Sequence, residues 1–238
     1  MSSRFDIVKD LDNSVVDFTQ EYNDVVLWNA IALSNKHEYS KEAIQRQLSL
    51  VIEEYKELHE AVDSKDLIEI YDALGDIFVV AGYWLFLNKA QPKLEGFVID
   101  PVSALENVYY QPKIFNEPDK IDVSNLFQDA MNALASLKGG KKCLQEVLRS
   151  NMSKFAQQGF FEDKGILPEV VATNIEKGSE GRYKNVVPVF SKITTNIDNG
   201  TQNEVDYVLF RCNNGEGKIV KAFYFQEPKL KEIIEQYI

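Results

Sequence analysis

Apolar positions recur at helical spacing over much of the chain and at alternate positions only near its end. Residues 14–33 ("SVVDFTQEYNDVVLWNAIAL") read as one helix capped by Asn13 or Ser14. Val15, Phe18, Tyr22, Val25, Val26 and Asn29 fall on one broad side of it. "SNKHEYS" interrupts the pattern, and Ser40 ahead of "KEA" marks the cap of a second helix, Lys41 to Val62. "DSKD" (63–66) is a short turn, so a third helix, Leu67 to Asn88, should fold back antiparallel on the second. It is apolar nearly all round and therefore central.

Residues 89–140 hold most of the prolines and read as an insertion or crossover with one modest helix, Val123 to Leu137. Lys142 to Gln158 supplies a fourth long helix. "DYVLFRCNNGEGKIVKAFYFQ" reads as two β-prone runs around a glycine-containing turn. "PKLKEIIEQYI" reads as a short amphipathic helix opened by Pro228. The pattern implies an all-α fold: a four-helix module with an inserted segment and a small appendage carrying a β-hairpin. The expected boundary places the helical domain at 1–184 and the appendage at 185–238.

The second and third helices carry carboxylates inside this apolar pattern. With Glu53 set at zero, Glu57 lies at roughly 40° and Glu54 at roughly 100° around the helix, while Leu50, Ala61 and Leu58 lie at roughly 60°, 80° and 140°. Glu54 thus points into the apolar stripe. On the third helix Asp72 and Asp76 are one turn apart, on the side of Val79, Val80 and Tyr83. Reflection about Ser64 and Lys65 sets Asp72 opposite Glu57, and Asp76 opposite Glu53 or Glu54. Carboxylates converging between helices about 8–10 Å apart repel one another unless something positive joins them. An oxygen-only donor set suits a hard divalent cation, and Mg²⁺ keeps waters for substrate phosphates. An EExxE run taken alone is usually a solvated helix face; the two sets in register across a short turn are what favour a metal site here. Glu60 and Asp63 read as surface residues. Glu69 fits a capping box with Asp66.

These residues carry a resemblance. "EEYKELHEAV" followed by "DALGDIFVVAGYW" resembles the all-α nucleoside triphosphate pyrophosphohydrolases of the MazG type, whose signature is EExxE on one helix and an acidic pair ending in Asp on the next. Glu53, Glu54 and Glu57 match the first part and Asp76 the closing Asp. Many members have Glu three residues before that Asp, where this chain has Ala73; Asp72 is the candidate substitute and Glu69 the fallback. "EVLRSNMSKF" (146–155) resembles the fourth-helix segment of phage-type members, and "GKIVKAFYF" more loosely their C-terminal extension. The resemblance covers roughly residues 15–88 and 142–160. It implies hydrolysis of a nucleoside or deoxynucleoside triphosphate to the monophosphate and pyrophosphate, with Mg²⁺, or Mn²⁺ in its place, on Glu54, Glu57, Asp72 and Asp76. Glu53 would orient or deprotonate the attacking water. It also implies a homo-dimer or tetramer.

Arg149, Asn151 and Lys154 are candidate phosphate or sugar contacts, weighed evenly against a plain surface group beside a helix end. Trp28 and Asn29 could wall a base pocket, and Trp28 is at least as readily a core residue. His37 and His59 are lone, with His59 among exposed charges, and neither is given a role. Two alternatives stay open: phosphoribosyl-ATP pyrophosphohydrolase or dUTPase-like activity on the same fold, or a non-enzymatic helical protein that binds a partner.

Composition narrows the field. The 238-residue chain is 45 % apolar and 26 % charged, with net charge −11 and a pI near 4.8. That charge argues against a general nucleic-acid binder, which usually shows a basic field. Cys143 and Cys212 sit in no ligand spacing and suggest no disulfide framework, so a reducing cytoplasm is expected. "MSSRFDIVKD" lacks the apolar core of a signal peptide. The longest apolar run, Ile77 to Leu87, is too short to span a bilayer. "KGGKK" and "NNGEGK" lack the spacing of a nucleotide-binding phosphate loop.

Overall fold

A computed structural model describes residues 14–110, 122–197, 201–215 and 217–237. The protein is mostly helical, with nine α-helices and two small sheets among the described residues. The chain divides into two compact units. The first takes the described residues of Met1–Val26, Glu38–Leu148 and Pro228–Ile238; the second takes Leu27–His37 and Arg149–Glu227. These boundaries do not coincide with the one expected at 184/185.

In the first unit, the start of the expected 14–33 helix is a strand. Val15–Asp17 (β1) pairs antiparallel with Glu95–Phe97 (β2), and helix α1 runs Thr19–Ala32. Asp17 stops the strand and starts the helix, accepting bonds from Thr19 N at 2.9 Å and Thr19 Oγ1 at 2.6 Å. Two adjacent valines favour the pleat over the helix here. Asn13, one of the two expected caps, lies outside the described residues.

Helix α2 spans Lys41–Ser64, with the Ser40 side chain accepting from Ala43 N. Helix α3 spans Leu67–Leu87. Between them Lys65 adopts φ 60°, and its successor Asp66 donates its N–H to Ala61 O at 3.0 Å. The Asp66 side chain accepts from Ile68 N and Glu69 N. Only half of the expected capping box forms, because the Asp66 N–H already has Ala61 as its acceptor. The Gln47 side chain donates to Val80 O at 2.9 Å, a direct tie between the two antiparallel helices.

Helix α3 is apolar and long enough to cross a bilayer by length and composition, but twelve of its residues are buried against neighbouring elements. Phe18, just ahead of α1, packs on Phe78. A Cβ on Gly75 would lie 3.1 Å from Val147, and one on Gly82 would lie 3.2 Å from Phe127.

Residues 89–140, expected as an insertion or crossover with one modest helix, hold more regular structure than that. They hold β2, helix α4 (Pro101–Tyr109) and helix α5 (Val123–Ser136). Phe127 of α5 is buried and packs with its ring centroid 4.8 Å from that of Phe78, the two rings tilted. Leu126, Ala130, Met131, Ala133 and Leu134 are buried with it, so this segment supplies a wall of the core. Residues 111–121, including part of the proline-rich "YYQPKIFNEPDKID", lie outside the described residues. Leu50, expected in the α2 apolar stripe, is 42 % exposed.

The helix expected over 142–158 is shorter. Helix α6 runs Gly140–Met152, and Ala156–Gln157 (β3) follows as a strand. In the second unit β3 joins Val187–Ile197 (β4) and Thr201–Arg211 (β5) in an antiparallel sheet of order β3-β5-β4. The long hairpin is therefore β4–β5. The expected hairpin around "NNGEGK" shrinks to a single bridge, Arg211 to Ile219, beside a 3₁₀ turn at Asn213–Gly215. Strand alternation builds this unit's two cores. Val208 and Phe210 face Phe161 of helix α7 (Gln158–Lys164) and Val171 and Ala172 of helix α8 (Pro168–Gly178). Leu209 packs with Ala30, Ile31 and Ala32 at the end of α1. The C-terminal helix α9 is Leu230–Ile234, two residues beyond Pro228, and belongs to the first unit.

Candidate functional site

The carboxylates of α2 and α3 lie in the first unit. Glu53 and Glu57 are exposed, while Glu54, Asp72 and Asp76 are half-buried. Glu54 sits beside the fully buried Val51, Tyr55 and Leu58, its neighbours at i−3, i+1 and i+4. This explains why it is drawn inward while Glu53, one residue earlier, reaches solvent.

The Glu54 carboxyl is pushed up to about 8, first by burial and then by the negative charges of Asp76, Glu57, Glu53 and Asp72, in that order. Four of the five expected carboxylates therefore act electrostatically on the fifth, Glu54, with Asp76 the strongest charged influence. Glu69 is absent from this set, exposed, and makes no side-chain hydrogen bond among the described residues. Glu60 is exposed. Asp63, also exposed, accepts from Tyr109 Oη at 3.0 Å.

The donor set is oxygen only, the chemistry that suits a hard cation. Among the described residues no three His, Cys, Asp or Glu side chains are already drawn together tightly enough to hold an ion. The carboxylates share a field without closing on a common point.

His59 is half-buried rather than set among exposed charges. It stacks on Tyr109 at 4.1 Å and meets Tyr55 edge-on at 4.7 Å. Burial lowers its pKa against the opposing pull of Asp63 and a backbone bond at Tyr109. This aromatic group ties α2 to the end of α4.

The candidate substrate residues belong to the second unit. Trp28 Nε1 donates to Asn151 O at 3.0 Å and its ring packs 5.4 Å from Phe155. Lys154 Nζ donates to Asn151 Oδ1 at 2.7 Å and lies over the Trp28 ring at 5.8 Å. Asn29 is buried at 8 % exposure. Trp28, Asn151 and Lys154 thus hold one another. Arg149 turns elsewhere, donating to Gln226 Oε1 at 2.6 Å and Glu227 O at 3.2 Å.

Glu21 is a carboxylate that the pattern reading passed over. It is 2 % exposed, with Oε1 receiving Gln145 Nε2 at 2.7 Å and Lys141 Nζ 3.3 Å away. Its second oxygen, Oε2, is buried without a hydrogen bond. The signal was present: Phe18, Glu21 and Val25 stand three and four residues apart, which puts Glu21 on the apolar face.

No protein-family model, curated protein or solved structure significantly matches the chain.

Proposed function

We propose that the protein is a Mg²⁺-dependent pyrophosphohydrolase of nucleoside or deoxynucleoside triphosphates, built on a MazG-like helical module. The observation that carries this reading is the concentration of four carboxylates, Asp76, Glu57, Glu53 and Asp72, around the half-buried Glu54 on two antiparallel helices. Such a cluster costs folding free energy through like-charge repulsion, and a site that receives cations with its substrate gives that cost a purpose.

Glu54, Glu57, Asp72 and Asp76 would hold the metal, which when bound neutralises charge developing on the triphosphate. Glu53 is exposed beside them and is the group suited to orient a water towards the α-phosphorus and accept its proton. The bond broken lies between the α- and β-phosphates, and pyrophosphate leaves. Glu54 must give up its proton before it can serve as a ligand, so ligation and proton release are coupled. Asp72 is the natural partner of Asp76, because Ala73 is 5 % exposed and a carboxylate there would enter the core. The proposal rests on residues of the first unit alone. Its test is magnesium-dependent release of pyrophosphate from a panel of triphosphates, with Glu54→Gln as the inactive control.

A further inference from the structure

A cleft in the first unit differs in chemical character from the α2/α3 carboxylates. It has a volume of about 370 Å³ and lies where the end of α3 and β2 meet the start of α5. Leu85 and Phe127 form an apolar floor, and both are essentially fully buried. Phe97 stands at its edge with 45 % of its surface exposed. Clefts of this size, with apolar walls and a few polar groups, are typical small-molecule sites.

The polar groups have a defined sense. Gln128 Nε2 donates to Glu95 O at 2.8 Å and to Asn132 Oδ1 at 3.2 Å. Asn125 Nδ2 donates to Asp122 Oδ2 at 2.8 Å. A backbone carbonyl and a carboxylate can only accept, so both amides are fixed with nitrogen committed and oxygen left over. Both residues line the cleft, so the acceptors they bring to it are these two oxygens rather than the committed nitrogens. Lys93 is the only charged residue lining it among the described residues, and no carboxylate does so, although the chain as a whole is at −11.

The walls are tied before any ligand arrives. Phe97 N donates to Asn132 Oδ1 at 2.9 Å, and Gln128 holds the Glu95 carbonyl, so β2 is clamped to α5. Val15 pairs with Phe97 on the other edge. A pre-organised site loses less entropy on binding.

We infer that this cleft binds a planar heteroaromatic ligand that carries N–H donors and one anionic group. The ring lies against Phe97, its N–H groups meet the Asn125 and Gln128 oxygens, and Lys93 takes the anion. This site is separate from the α2/α3 carboxylates and does not depend on the function proposed for them.

The test is equilibrium dialysis of the full chain with adenosine monophosphate in EDTA, which removes binding that needs a divalent ion. Adenosine lacks the anion and ribose 5-phosphate lacks the ring; both should bind more weakly. Loss of stacking in Phe97→Ala should lower affinity by about fivefold or more, and Lys93→Glu by about threefold or more. Both side chains are exposed, so both variants should fold, which circular dichroism would verify. Absence of adenosine monophosphate binding at millimolar concentration overturns the inference. So does binding that both folded variants retain in full, or binding matched by ribose 5-phosphate alone.

Discussion

Asp76 on α3 lies across the helical hairpin from Glu54 on α2. After burial itself, its charge does most to push the Glu54 carboxyl up to about 8. The ordinary value is 4.5, so the folded protein holds a proton on Glu54 that the unfolded chain releases. Stability from this source is fully present below the unfolded value and is lost as pH rises through the folded one. Unfolding measured without divalent ions should show stability falling between these two values, by on the order of 1 kcal/mol per pH unit at the steepest. Glu54→Gln should flatten that slope. An unchanged slope in the variant would locate the titrating group elsewhere.

The ambiguous pair on α3 separates by position. Asp72 contributes to the field at Glu54 and Glu69 does not. Asp72→Asn should therefore lower turnover by orders of magnitude, and Glu69→Gln should leave it near wild type. The cap is Asp66, whose side chain accepts from two backbone N–H groups; Asp66→Ala should cost about 1 kcal/mol in denaturant unfolding. Kinetics with the roles of Asp72 and Glu69 exchanged would move the ligand to Glu69.

Phe127 tests whether residues 89–140 belong to the core. It is buried against Phe78 and next to Tyr22, so Phe127→Ala should cost about 3–5 kcal/mol, the usual penalty for a large cavity. Urea melts that follow the first unit would read it. A loss below about 1 kcal/mol would mark α5 as a peripheral helix, because surface substitutions cost no more than that.

Magnesium alone, without nucleotide, should raise the melting temperature saturably, since an ion that binds only the folded state stabilises it by mass action. Glu57→Gln should remove the saturable part and leave general salt effects. The shift should grow as pH rises towards the Glu54 value, because binding competes with its proton. Calorimetry across pH and Mg²⁺ concentration checks both statements. A partner-binding helical protein would give no saturable shift.

The carboxylate arrangement was legible because helix periodicity and a short turn are local properties. Ser40 and Asp66 mark the helix starts through side-chain bonds a few residues long, and those fix which turns of α2 and α3 face each other. What was not legible depends on distant partners. Val15 and Val16 become a strand only because Glu95–Phe97 pairs with them. Val208 and Phe210 suit a strand, but the strand beside them comes from residues upstream rather than from "GKIVKAFYF". Phe127 looks like part of an inserted helix until Phe78 supplies the surface it fills. Glu21 is buried because Lys141 and Gln145, more than a hundred residues on, meet its carboxylate. The roles of Trp28 and Lys154 likewise turn on Asn151, which binds both.

The most direct measurement is product analysis of purified protein incubated with each nucleoside and deoxynucleoside triphosphate, with and without Mg²⁺, followed by phosphorus NMR. The account predicts equimolar monophosphate and pyrophosphate from at least one triphosphate, only with the divalent ion, and none from folded Glu54→Gln or Asp76→Asn. No turnover of any triphosphate, release of orthophosphate and diphosphate instead, or full activity in either variant would contradict it.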